Sequence, residues 1–380
     1  MTSFPKIALV TETWPPEING VAMTLSRLVE GMRRRGYPLQ VIRPKQSCDV
    51  GSNANNFLVP GAPIPGYNGL LFGLPVRGRL LSHWKTQRPQ LVHVATEGPL
   101  GWAALSAAHE LKIPVTSSFH TQFHQYCGHY GIGWLQRVIA SYLKNFHNKT
   151  LFTLVPNESL RGLLETEGYQ NVGVLGRGID TVLFDPARRS EALRTLWQAD
   201  EDTLVVLHVG RLAAEKNLKT VIAAFDALRA KHAKAKMVWV GAGPQLTKMK
   251  RKLPDHIFVG MKVGEELATH YASADIFLFA SMTETFGNVT LEAMASGLAV
   301  VAYRYAAAQQ FVNHGHNGLL ADFGDLNTFK TLAASLGEDV SLVKQMGTQA
   351  RLDIQHVGWD HVLDQFSSTV DKAIRQENHQ

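Results

Sequence analysis

Short apolar runs recur along this chain, and between them lie segments whose apolar residues return every three to four positions. Lys6–Thr11, Leu39–Arg43, Leu91–Ala95, Val115–Phe119 and Leu151–Val155 each read as a strand buried on both faces. Val21–Arg35 reads as a helix, with Val21, Leu25, Leu28, Val29 and Met32 on one face and Gly36 as its stop. Gly101–Leu111, Trp134–Phe146 and Glu158–Glu167 have the same helical period. Asn53–Gly73, rich in Gly, Pro and Asn, is predicted to be a long loop. The pattern breaks at Leu175–Arg189, read as a linker, and then resumes. The second series of strands is Leu204–Val209, Met237–Val240, Ile257–Val259, Ile276–Ala280, Ala299–Ala302 and Gly318–Ala321. Trp359–Arg375 is an amphipathic helix at the end. Strands alternating with helices predict an α/β protein of two doubly wound, Rossmann-like parallel-sheet domains, 1–182 and 183–358, with 359–380 following. Two such domains facing a central cleft would bind ligand at the carboxyl edges of their strands.

Composition leaves that picture intact. The 380 residues are 45% hydrophobic and 18% charged, which suits a globular protein with two cores. Only Cys48 and Cys127 occur, so no disulfide framework is expected and a reducing compartment fits. The start, MTSFPKIALVTETW, lacks signal-peptide organisation, and no apolar run is long enough to span a bilayer, so a cytoplasmic protein is expected. Charge does change the picture. Residues 1–180 carry 17 Lys and Arg against 10 Asp and Glu, whereas residues 181–380 carry 21 against 22. A basic first half is either ordinary solvated charge or a face for anionic lipid head groups or an acidic acceptor. Nucleic acid is not expected, since no binding motif and no basic stripe interleaved with aromatics is present.

The candidate chemistry gathers where strands end. Ser281–Met294, SMTETFGNVTLEAM, is a strand-loop-helix junction in which Glu284 and Glu292 are separated by seven residues. Gly287 permits a tight turn, and a helix starting near Asn288 aims its unsatisfied N–H groups at the strand edge, where a phosphate binds well. One carboxylate suits sugar hydroxyls and the other a ribose. His208–Lys216, HVGRLAAEK, leaves another strand and carries Arg211 and Lys216 five residues apart, two cations suited to a departing diphosphate. Gly241-Ala242-Gly243-Pro244 fails as a dinucleotide fingerprint, because the third glycine position is Leu246 and Pro244 interrupts the turn. In the first half, Gly20 lies in the Pro16–Val21 loop, and Ser118-Phe119-His120-Thr121 ends a strand. Gly20 reads equally well as plain turn chemistry.

Taken together, these stretches resemble the retaining glycosyltransferases of family 4, which have the GT-B fold, over nearly the whole chain. The resemblance implies that Glu284 contacts the donor sugar and Glu292 the nucleotide ribose. It implies that Arg211 and Lys216, beside Gly210, grip the donor diphosphate and that His120 lies beside the transferred sugar. Phe286, Gly287, Asn288 and Val289 are then donor-binding, Met261 lies near the base, and Gly20 approaches the donor phosphates or the acceptor. The terminal helix would pack back on the first domain. Reaction with retention by front-face attack is implied, with the departing phosphate taking the acceptor proton. No metal or other cofactor is implied, because Arg, Lys and a helix N-terminus neutralise the diphosphate and there is no Asp-x-Asp.

The branch most resembled contains lipid-directed α-mannosyltransferases and sulfoquinovosyl-diacylglycerol synthases. Phe119 departs from the Tyr often found there. The expected donor is GDP-mannose and the expected acceptor a lipid or glycan hydroxyl. UDP-sugar transfer (glucosyl or sulfoquinovosyl to diacylglycerol) is the alternative, and a nucleotide-sugar epimerase on the same fold is another. Trp134, Val138, Tyr142 and Phe146 form one stripe flanked by Arg137, Lys144 and Lys149. That stripe is either the buried face of a domain helix or a peripheral contact with an anionic membrane.

Overall fold

The computed structural model describes residues 4–17, 19–63, 71–120, 133–284 and 286–377. Its contacts divide into two compact units, one running to Arg177 and resuming at Trp359, the other Gly178–Gly358.

In the first unit β1 (Ile7–Val10), β2 (Leu39–Pro44) and β3 (Asn56–Val59) are followed by a small antiparallel ribbon of β4 (Gly61–Pro63) and β5 (Leu71–Gly73). β6 (Leu91–Val94), β7 (Val115–Ser118), β8 (Phe152–Val155) and β9 (Val172–Val174) complete it. Among the described residues these form one seven-stranded sheet ordered β3-β2-β1-β6-β7-β8-β9, parallel throughout. The long loop predicted for Asn53–Gly73 is corrected here, because β3, β4 and β5 fall within it; residues 64–70 lie outside the described residues. Asn56-Phe57-Leu58-Val59 is a short edge strand, and its half-buried first residues gave too weak a period to be read.

The Gly20–Arg34 helix is capped by Asn19, whose side chain accepts from the Ala22 N–H, and its apolar stripe Leu25, Leu28, Val29 and Met32 is buried. Against it lies the Trp359–Glu377 helix, with Val362, Leu363, Phe366, Val370 and Ala373 in the same core. Gly31 makes that packing close, since a Cβ there would stand 2.6 Å from a Leu363 methyl. Arg35 reinforces the contact at the surface, 2.6 Å from Asp364 and 3.1 Å from Asp360, although the apolar core contributes far more than such exposed pairs.

The second unit contains β10 (Val205–Val209), β11 (Lys236–Val240), β12 (Ile257–Gly260), β13 (Ile276–Phe279), β14 (Ala299–Tyr303) and β15 (Gly318–Ala321). They pair in parallel in the order β12-β11-β10-β13-β14-β15. Alternate residues enter different cores: Val205, Leu207 and Phe277 pack on one face, Val206, Ile276 and Leu278 on the other. That two-sided burial is why these strands read as unbroken apolar runs. Residues 178–189 belong with this unit. Ile179 donates to the Val357 carbonyl at 2.9 Å, and Arg351 donates to the carbonyls of Thr181 and Phe184 at 3.0 Å and to Asp185 at 2.6 Å. No helix among the described residues is long and apolar enough to cross a membrane.

Candidate active site

Chain order reverses across the second sheet between β10 and β13, and at such a switch point the two outgoing loops diverge and leave a crevice at the carboxyl edge. The loop after β10 opens with Gly210 at φ +151°, where a β-carbon is unfavourable, and its N–H donates to the Val240 carbonyl at 3.0 Å. It closes in a 3-10 turn, Ala214–Lys216, followed by Asn217 in the left-handed region and the Leu218–Lys231 helix. The loop after β13 is tied to it by the Met282 N–H, which donates to the Glu215 carbonyl at 3.1 Å.

These ties bring Lys216 to Glu284. The two form an ion pair, and Ser281 Oγ donates to the same Glu284 oxygen at 2.8 Å. Lys216 Nζ also lies 5.9 Å from the centre of the Phe279 ring. Arg211 is about half exposed and reaches Glu215 at 3.5 Å. So Lys216 and Glu284 pair at the ends of adjacent strands, and Arg211 lies in the same loop as Lys216.

Gly287, at φ +87°, is the N-cap of the Asn288–Ala295 helix and offers no side chain to its first N–H groups. Phe286 is buried, its carbonyl accepts from the Ala307 N–H at 2.7 Å, and its ring meets Phe311 edge-on at 6.2 Å. Asn288 and Val289 open the helix, and Glu292 follows one turn later. Glu292 accepts from the Tyr271 hydroxyl at 2.9 Å. Met261, half exposed, follows Gly260 at the end of β12. Thr285 lies outside the described residues.

His120 and Gly20 belong to the first unit. Gly20 starts its helix directly after the Asn19 cap, and Ile18 beside it lies outside the described residues. His120 is buried two residues beyond β7 and accepts from Arg177 Nη2 at 2.8 Å through Nδ1. Burial and the Arg177 charge hold the imidazole well below its ordinary value, and burial brings Arg177 down to about 10. With Nδ1 accepting, the neutral ring carries its proton on Nε2, so it serves as a hydrogen-bond donor rather than as a base. Thr121, Gln122, Phe123, His124, Cys127 and His129 lie outside the described residues.

The Trp134 stripe divides. Phe146 is fully buried, whereas Val138 and Tyr142 are exposed on the same helix, Gly133–His147, beside exposed Arg137, Lys144 and Lys149. The side chain of Trp134 lies outside the described residues.

Two carboxyls escaped the motif reading. Glu12 and Glu97 follow β1 and β6, the strands that flank the switch point of the first sheet. Burial pushes Glu12 up to about 7 and Glu97 up to about 8. Glu12 is absorbed by the fold: it accepts from the Leu100 N–H at 2.9 Å, and its own N–H donates to Thr96 Oγ1 at 2.9 Å. The signal available in the sequence was an acidic residue just past each apolar run. Arg177 and Tyr271 left no such signal.

Residues 18–183 match the family described as Glycosyltransferase Family 4, and residues 190–353 match Glycosyl transferases group 1. A GDP-mannose-dependent alpha-mannosyltransferase of Corynebacterium glutamicum is 30% identical over 367 residues, 95% of this chain and 87% of that one. The sulfoquinovosyl transferase of Arabidopsis thaliana is 30% identical over 307 residues, 78% of this chain and 59% of that one. Among solved structures, HepE of Anabaena in complex with UDP and glucose superposes with a TM-score of 0.76 at 19% identity, covering 97% of this chain and 99% of that one. The two parallel-sheet Rossmann-like units are those of the GT-B fold, and the chain belongs to the family 4 glycosyltransferases.

Proposed function

We propose that this glycosyltransferase moves an α-mannosyl group from GDP-mannose to a hydroxyl of a lipid or glycan, with retention at the anomeric carbon. The observation that carries the reading is the Lys216–Glu284 pair beside Arg211. On one sheet edge this gives cations suited to a diphosphate and a carboxylate suited to sugar hydroxyls. The name of the C. glutamicum relative favours mannose and guanine.

On this reading the bond between the anomeric carbon and the phosphate oxygen breaks as the acceptor oxygen attacks from the same face. The acceptor proton passes to the departing phosphate. Arg211 and Lys216 offset the charge that grows on the diphosphate, Glu284 holds sugar hydroxyls, and Glu292 holds the ribose. His120 donates from Nε2 to a hydroxyl of the transferred sugar. No resident metal takes part. The basic first half and the exposed Val138 and Tyr142 support peripheral contact with an anionic membrane, from which a lipid acceptor would be reached.

A second reading, a UDP-sugar transferase acting on diacylglycerol, is favoured by the similarity to the sulfoquinovosyl transferase. Incubation with GDP-mannose, UDP-glucose and UDP-sulfoquinovose, with and without diacylglycerol or a mannoside acceptor, separates the two. Acceptor-dependent release of GDP from GDP-mannose, with an α-linked product by NMR, is expected. Turnover of UDP-sugars alone overturns the mannosyl reading, and an inverted product overturns retention.

A further inference from the structure

A hydrogen bond to the second carboxylate comes from outside every motif. Tyr271 lies near the end of the Gly264–Ala272 helix, and its hydroxyl donates to Glu292 Oε2 at 2.9 Å and lies 3.4 Å from the Val289 carbonyl. A carboxylate only accepts, so the phenol is the donor. Burial, and next to it the Glu292 charge, hold the phenol well above its ordinary value, so it keeps that proton throughout the working range.

The ring that presents this hydroxyl has no freedom of its own. Tyr271 is fully buried, with Phe184 edge-on at 5.7 Å and Phe277 tilted against it at 5.9 Å. A glutamate side chain has three torsions, and ordering them on ligand binding costs free energy. A donor fixed in the core and aimed at one oxygen imposes that order in advance. The helix carrying Tyr271 starts just after the Gly260-Met261-Lys262 turn, so one rigid element joins the turn expected near the base to the carboxylate expected at the ribose.

We infer that Tyr271 is the positioning residue for Glu292, holding its carboxylate in the orientation that receives the ribose hydroxyls and so favouring ribonucleotides over nucleotides lacking those hydroxyls. This rests on the reading of Glu292 as the ribose ligand. A core tyrosine whose hydroxyl merely found a convenient acceptor would stabilise the unit without distinguishing one nucleotide from another.

Calorimetry on the full chain distinguishes these roles. GDP and 2′,3′-dideoxy-GDP, with UDP and its dideoxy form in parallel so that the base does not decide the outcome, are titrated into wild type, Tyr271→Phe, Glu292→Gln and the double variant. Phe keeps the ring packing, and thermal melts verify the fold. Tyr271→Phe should weaken the ribonucleotide about tenfold while leaving the dideoxy form within about twofold, as expected for losing one hydrogen bond to a charged group. In the Glu292→Gln background the same change should add less than about twofold, because the two side chains act through one contact. In turnover, KM for the donor should rise more than kcat falls. Equal losses for both nucleotides, unchanged ribonucleotide affinity in Tyr271→Phe, or additive effects in the double variant would overturn the positioning role. If Glu292→Gln itself binds the ribonucleotide normally, or wild type binds neither ribonucleotide, the ribose reading fails and takes this inference with it.

Discussion

Lys216 and Glu284, 68 residues apart in sequence, form an ion pair with each side chain less than one-fifth exposed. Neither belongs to the other's loop. The pair exists because β10 and β13 are neighbours in the sheet, although β11 and β12 lie between them in the chain. On the proposed function the pair sets up a competition: a diphosphate must draw the Lys216 ammonium away from a carboxylate or share it.

Removing the competitor should therefore not weaken the nucleotide. Glu284→Gln is expected to bind GDP at least as tightly as wild type while its turnover with the nucleotide sugar falls, because the carboxylate is assigned to the sugar and not to the diphosphate. Glu292→Ala is expected to lose GDP affinity. Calorimetry on both variants checks this, and equal losses would reject the division of labour between the carboxylates.

Arg211→Ala and Lys216→Ala should each lower kcat/KM by at least about a hundredfold, the scale of losing one preorganised charge partner of a developing anion. Lys216→Ala also leaves Glu284 without its cation at a partly buried position, so a lower melting temperature is expected for it and not for exposed Arg211→Ala. Steady-state kinetics that stay near wild type in both variants would remove these residues from the diphosphate site.

Stability should peak in mildly acidic solution. Burial raises Glu97 from 4.5 to about 8 and Glu12 from 4.5 to about 7, so between those values the folded chain holds protons that the unfolded chain has released. The stability this provides is complete below about 4.5 and is lost as pH rises through 7 and 8. Burial acts the other way on histidine, lowering His93 and His147 to about 3 and His208 to about 4 from 6.5. Their contribution is present above 6.5 and is lost as pH falls below it. Melting temperatures across pH 4 to 9 check both limbs, and Glu97→Gln should flatten the alkaline one.

Exhaustive treatment with EDTA should leave turnover unchanged, since Arg211 and Lys216 are proposed to neutralise the diphosphate on their own. A strict requirement for added Mg2+ or Mn2+ would contradict this.

Sedimentation with vesicles should require anionic lipid, diminish as salt rises, and weaken when Arg137, Lys144 and Lys149 are neutralised together. Binding indifferent to lipid charge would leave those cations as ordinary solvated charge.

Much of this protein was legible in one dimension, and the reason is local. A strand covered on both faces must be apolar throughout, so β10, β13 and β14 announced themselves, as did the amphipathic stripe of the Gly20–Arg34 helix. Gly210, Arg211, Lys216, Glu284, Gly287 and Glu292 stood out as candidates too, because they lie in the loop-to-helix segments that follow such runs and have residue types that suit phosphate or hydroxyl chemistry. The edge strand β3 was not, since its partial burial leaves no clear period.

What the tertiary structure alone decided is which of these groups touch. Strand order, with β10 beside β13, pairs Lys216 with Glu284, and no sequence spacing encodes a distance across a sheet. Arg177 on His120, which selects the ring's tautomer, and Tyr271 on Glu292 are likewise contacts between segments far apart in the chain. Burial is the other decision of the fold. It raised Glu12 and Glu97 by withdrawing them from water, and on one helix it enclosed Phe146 while leaving Val138 and Tyr142 exposed. A residue's type and local period set what it is able to do, but its partners and its access to solvent exist only once distant segments pack.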